Sequence, residues 1–84
     1  MDEELEELIG QIKEIIANTF DIDLEEVEDD SFLSDDLGAD PTLLEELADA
    51  LTEEFEIEIN DDDIEEWETV ADVIETVLSR LNEA

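Results

Sequence analysis

Apolar residues recur at steps of three and four in three separate stretches of this chain, and that spacing limits the fold more than any other feature. Between Glu3 and Thr19 they are Leu5, Leu8, Ile9, Ile12, Ile15 and Ile16, and Phe20 closes the stripe. These steps place side chains on one face of an α-helix, with Glu4, Glu7, Gln11 and Glu14 mostly elsewhere. Gly10 weakens this helix by about 1 kcal/mol relative to alanine without breaking it. The second stretch carries Leu43, Leu44, Leu47, Ala50, Leu51 and Phe55, and the third Val70, Val73, Ile74, Val77, Leu78 and Leu81. Three amphipathic helices whose stripes must all be buried predict an all-α bundle.

The punctuation between the stripes sharpens this reading. Asp40 can accept from the unsatisfied amides of a first helical turn, and Pro41 supplies the helical φ at the first position where no donor is needed. Thr69 is the expected cap of the last helix, with Asp72 three residues on in the place of a capping-box glutamate. Asp61 to Glu65 predict a short third helix with Ile64 turned inward. Ile57 and Ile59 alternate with Glu56 and Glu58, but no second strand exists to pair with them, so Glu56 to Asn60 are read as a connector. The aperiodic stretch Asp21 to Asp40 is long for a compact domain and is expected to be an ordered crossover. Its expected anchors are Ile22, Leu24, Val27, Phe32, Leu33 and Leu37, with a turn capped by Asp23 and a tight conformation at Gly38. The expectation is therefore a four-helix bundle, three helices long and one short, with a long first crossover.

Eighty-four residues suffice for one domain, taken as 1–84. The 32 acidic residues face only Lys13 and Arg80, a formal charge of -30. That surface repels itself, and salt should stabilise the fold by screening. Nucleic acid and anionic membranes are excluded as partners because both favour positive proteins. A basic protein surface is the natural opposite. The acids near the end of the second helix oppose the helix dipole, so they point to solubility or partner contact. Met1 to Glu7 lack the basic start and apolar run of a leader, and no stretch approaches the roughly 18 apolar residues of a membrane span. With no cysteine, the expectation is a soluble, cytoplasmic monomer.

Candidate chemistry is sparse. Asp61, Asp62 and Asp63 could associate weakly with divalent cations, but the run lacks the spacing and glycine of a calcium loop, and no specific metal site is expected. Without histidine, cysteine or tyrosine the usual nucleophile and base pairs are missing, and a bundle of this size leaves little room for a substrate cleft between two carboxylates. The chain is read as a non-enzyme. Trp67 is expected to cover the seam between the short helix and the last one, and Phe20, Phe32 and Phe55 to lie in the core.

Asp36-Leu37-Gly38-Ala39-Asp40, followed by Glu53-Glu54-Phe55-Glu56-Ile57-Glu58-Ile59, strongly resembles the acyl carrier proteins. Asn60-Asp61-Asp62-Asp63 and Thr69-Val70-Ala71-Asp72-Val73-Ile74 extend the match, which runs without a gap from Val27 to Ile74. The resemblance implies that family's helical bundle. It also implies a serine directly after the aspartate corresponding to Asp40, to which phosphopantetheine is joined so that its thiol carries acyl groups between basic-surfaced enzymes. Here that position is Pro41, which has no hydroxyl, and Thr42 follows where the family commonly has leucine.

Expected partner contacts under the resemblance are Asp36, Asp40, Glu45, Glu46, Asp49 and Glu53, with acids at 45 and 49 where the family mixes in apolar contacts. The leading expectation is a carrier-like domain without phosphopantetheine, acting as a non-modified binding protein or a diverged or designed scaffold. One alternative is a working carrier of fatty-acid or polyketide-type synthesis, using Thr42 or, second, Ser34 for attachment. Another is a structural bundle with no specific ligand.

Overall fold

The computed structural model describes residues 3–83. Four α-helices follow in order: α1 (Glu3–Phe20), α2 (Pro41–Phe55), α3 (Asp61–Glu66) and α4 (Val70–Glu83), with one 3-10 turn at Leu24–Glu26. Among the described residues there is no strand, and the architecture is the expected bundle of three long helices and one short. Met1 and Asp2, part of the stretch read as lacking a leader, lie outside the described residues. Among those described, no helix is long and apolar enough to cross a membrane.

The three stripes meet in one core. Ile12 and Ile16 from α1, Leu47 and Leu51 from α2, and Val70, Val73 and Val77 from α4 are fully buried. Leu43, Leu44, Phe55, Ile64, Leu78 and Leu81 pack around them half-buried. The stripe of α1 fades at its start, where Leu5 is exposed. Ala17, Ala39 and Ala48 also enter the core, small residues that carry little periodic signal. Trp67 covers the α3–α4 seam as expected, buried, with its indole N–H donating to Thr76 Oγ1 at 3.0 Å.

The crossover is ordered, and backbone bonding explains why. Leu33 N–H donates to Glu68 O at 2.9 Å, Val70 N–H to Ser31 O at 3.0 Å, and Ala71 N–H to Asp29 O at 2.9 Å. These bonds staple the crossover to the start of α4. Lys13 adds a second tie, its ammonium 2.8 Å from Asp29, which joins α1 to the same segment.

Two expected anchors are corrected. Phe32 is 46% exposed because it pairs with Thr69 in an isolated antiparallel bridge. Extended backbone alternates its faces, so Ser31 and Leu33 turn inward and Phe32 outward. Leu24 is 48% exposed, since the three-residue turn carries Val27 into the core and leaves its own first residue in solvent. Ser31 is buried with its hydroxyl engaged, donating to Glu26 O and accepting from Glu28 N–H, each at 3.3 Å.

Candidate functional site

The start of α2 is set by a chain of local hydrogen bonds. Asp36 N–H and Leu37 N–H both donate to Phe32 O, Gly38 N–H to Ser34 O, and Ala39 N–H to Leu33 O at 2.8 Å. Gly38 takes φ 72°, the left-handed region that glycine enters without a Cβ penalty, and this turns the chain into the helix. Asp40 then adopts extended backbone, and its Oδ1 accepts from Leu43 N–H at 2.8 Å. Pro41 occupies the first helical position, as the Asp40-Pro41 pair predicts.

Beside this first turn an open groove of about 480 Å3 runs between α2 and α3. Pro41, Leu44, Ile64 and the buried Trp67 give it an apolar lining, and Thr42, Glu45, Asp61 and Glu65 a polar one. Thr42 is exposed, so its hydroxyl stands at the groove. Ser34 is also exposed but lines a separate, smaller cleft of about 280 Å3 with Phe32, Asp35, Trp67 and Glu68.

The acids expected to meet partners are all exposed: Asp36 and Asp40 ahead of α2, and Glu45, Glu46, Asp49 and Glu53 along it. Two of them also have local duties. Asp36 Oδ2 accepts from Phe32 N–H at 2.8 Å, and Asp40 caps α2. Asp61, Asp62 and Asp63 do not converge: Asp61 lines the groove, Asp62 is exposed, and Asp63 meets Arg80 at 2.7 Å. The hydrogen bond from Arg80 holds the Asp63 carboxyl below its ordinary value of 3.8, and the hydrogen bond from Asn60 N–H acts in the same direction. Among the described residues no group of three or more acids is gathered to hold a metal ion. The groove joins residues 20 or so positions apart, so neither stripe nor motif pointed to it.

Residues 10–77 match the family model described as a phosphopantetheine attachment site. The chain belongs to the acyl carrier protein family. It is 43% identical over 70 residues to the acyl carrier protein of Clostridium perfringens, spanning 83% of this chain and 92% of that one. The crystal structure of the Thermotoga maritima acyl carrier protein superposes with a TM-score of 0.83 at 29% identity, covering 99% of this chain and 96% of the other. The apo doublet acyl carrier protein from prodigiosin biosynthesis matches with a TM-score of 0.81 at 26% identity; it covers 95% of this chain, which spans 38% of the doublet. Acyl carrier proteins are carrier domains and not enzymes; they bear a phosphopantetheine group and work with carrier-dependent enzymes.

Proposed function

We propose that this carrier domain works without an arm at the start of α2, as a non-modified binding protein for partners with Lys- and Arg-rich surfaces, carrier-dependent enzymes among them. The observation that supports this is Pro41 at the first position of α2. In the ungapped match from Val27 to Ile74, residue 41 falls where the family has its attachment serine. The pyrrolidine ring has no oxygen to form a phosphodiester, so residue 41 does not fit the group the family carries.

Asp36, Asp40, Glu45, Glu46, Asp49 and Glu53, all exposed, form the contact face. Their charge draws a basic partner from a distance, while the lack of apolar contacts at 45 and 49 limits close packing. We take the chain as one domain, 1–84, acting as a cytoplasmic monomer. Divalent cations associate weakly at Asp61, Asp62 and Asp63 by relieving repulsion, with no dedicated site.

A second reading is favoured by the exposed Thr42 at the groove, which offers a hydroxyl one position on. A carrier joined there, or at Ser34, would be a working member of the family. Incubation with coenzyme A and a broad phosphopantetheinyl transferase, read by intact mass, separates the two: no mass addition is expected, and a single phosphopantetheine addition overturns the unprimed reading. Pro41→Ser is expected to restore loading. Partner binding should weaken steeply with added salt; no specific, saturable binding to any basic protein would leave the purely structural bundle.

A further inference from the structure

We infer that Phe32 anchors an arginine side chain of a basic partner protein, whose guanidinium stacks on the exposed ring and pairs with Asp35 and Glu68 of the same cleft. Of the aromatic side chains, Phe20 and Trp67 are buried and Phe55 is half-buried, whereas Phe32 faces solvent. Aromatic residues are enriched in the buried centres of protein interfaces. Phe32 is also held in place. Its N–H donates to Asp36 Oδ2 at 2.8 Å, its carbonyl accepts from Asp36 and Leu37 N–H at 2.9 and 3.1 Å, and it forms the bridge to Thr69. A ring presented from so fixed a backbone loses little freedom when a partner covers it.

The ring stands in an open cleft of about 280 Å3 with Ser34, Asp35, Trp67 and Glu68. Trp67 is fixed by its bond to Thr76, and Glu68 by backbone bonds with Leu33 and the Asp72 carboxylate. Carboxylates alone accept lysine and arginine alike, so the acids do not choose between them. The exposed ring does. A planar guanidinium is weakly hydrated and stacks on an aromatic face while its edge N–H groups stay free to meet carboxylates, which a compact ammonium cannot match. The place of the cleft supplies the partner: Asp36, bonded directly to Phe32, belongs to the acid face proposed for contact, so a basic surface drawn to α2 reaches the cleft beside it. The inference rests on that reading of basic partners, and gives them the apolar contact that positions 45 and 49 lack.

Two acetylated peptide amides of equal length and charge, glycine alternating with arginine in one and with lysine in the other, would be titrated against the chain at one salt concentration and followed by amide shifts. The arginine peptide should bind roughly threefold more tightly, the scale of an exposed cation–π contact, and shift residues 31–36 and 67–69. Phe32→Leu keeps an apolar side chain at the bridge without an aromatic face. It should weaken the arginine peptide roughly threefold and leave the lysine peptide unchanged. Asp35→Asn with Glu68→Gln should weaken the arginine peptide more than Glu25→Gln with Glu54→Gln, which removes the same charge outside the cleft. Circular dichroism checks that the variants fold.

Equal affinity for the two peptides, or an arginine preference that survives Phe32→Leu, would assign binding to charge and overturn the inference while the basic-partner reading stands. Equal weakening of both peptides by Phe32→Leu, or arginine-peptide shifts confined to α2, would do the same. If neither peptide binds the unaltered chain, the basic-partner reading fails and the inference with it.

Discussion

The helix starts and the helix ends of this molecule are built from the same residue types with opposite results. At the starts, carboxylates accept from backbone amides: Asp40 from Leu43, Asp63 from Asn60, and Asp72 from both Glu68 and Thr69 at 3.0 and 3.1 Å. Each satisfies orphan donors and faces the positive end of a dipole. At the ends the orphan groups are carbonyls, which a carboxylate cannot satisfy. There α1 runs into Asp21 at φ 57° and α2 into Glu56 at φ 53°, left-handed positions usually filled by glycine. So acidic a surface thus helps a helix begin and strains the points where α1 and α2 stop.

Removing a start should have the largest effect. Asp72→Ala deletes the acceptor of two amides where the crossover is stapled to α4, and should cost about 2 kcal/mol in urea unfolding at fixed salt. Asp40→Ala should cost about 1 kcal/mol, because Pro41 still fixes the first helical φ. Equal losses would mean that the staple holds α4 without its cap.

Relieving an end should give a smaller change of the opposite sign. Glu56→Gly should stabilise by about 1 kcal/mol by removing the Cβ penalty and a charge at the wrong end of the dipole. Glu56→Gln removes the charge alone and should give only a few tenths of that. Asp21→Gly should gain about 0.5 kcal/mol, since aspartate tolerates the left-handed region better than glutamate. A full gain from Glu56→Gln in thermal melts would assign the strain to charge and not to backbone.

The same contrast accounts for what could be read from the residues beforehand. Starts carry signatures, so Asp40-Pro41 and Thr69 with Asp72 located two helices to the residue. The ends of α1 and α2 carry none: neither has a basic residue in its last turn, Gly10 lies inside α1 and Gly38 precedes α2. Long stripes gave the core because each repeats over several turns, whereas an isolated apolar residue in the crossover has no period to fix its facing. Phe32 and Leu24 therefore face solvent where the sequence predicts anchors. The acid face of α2 was legible as composition plus helical period. The groove was not, because Thr42 and Glu65 come together only once α3 has folded back against α2.

One place joins a start to an end, and it sets the smallest expected effect. Asp63 in the first turn of α3 binds Arg80, the basic residue in the last turn of α4, at 2.7 Å. The folded-state Asp63 carboxyl titrates below its ordinary 3.8, so its stabilisation is present above that value and is lost as pH falls through the folded one. Asp63→Asn should therefore cost roughly 0.5 to 1 kcal/mol at neutral pH, the scale of a partly exposed pair. Other carboxylates protonate in the same range and ease the repulsion, but they do so in both proteins and cancel in the difference. The gap between the two unfolding curves should stay constant above about pH 5 and close below 3.8. If it persists in full after the acids are protonated, Asp63 stabilises the α3 turn through shape and hydrogen bonding, and its charge meeting Arg80 contributes little.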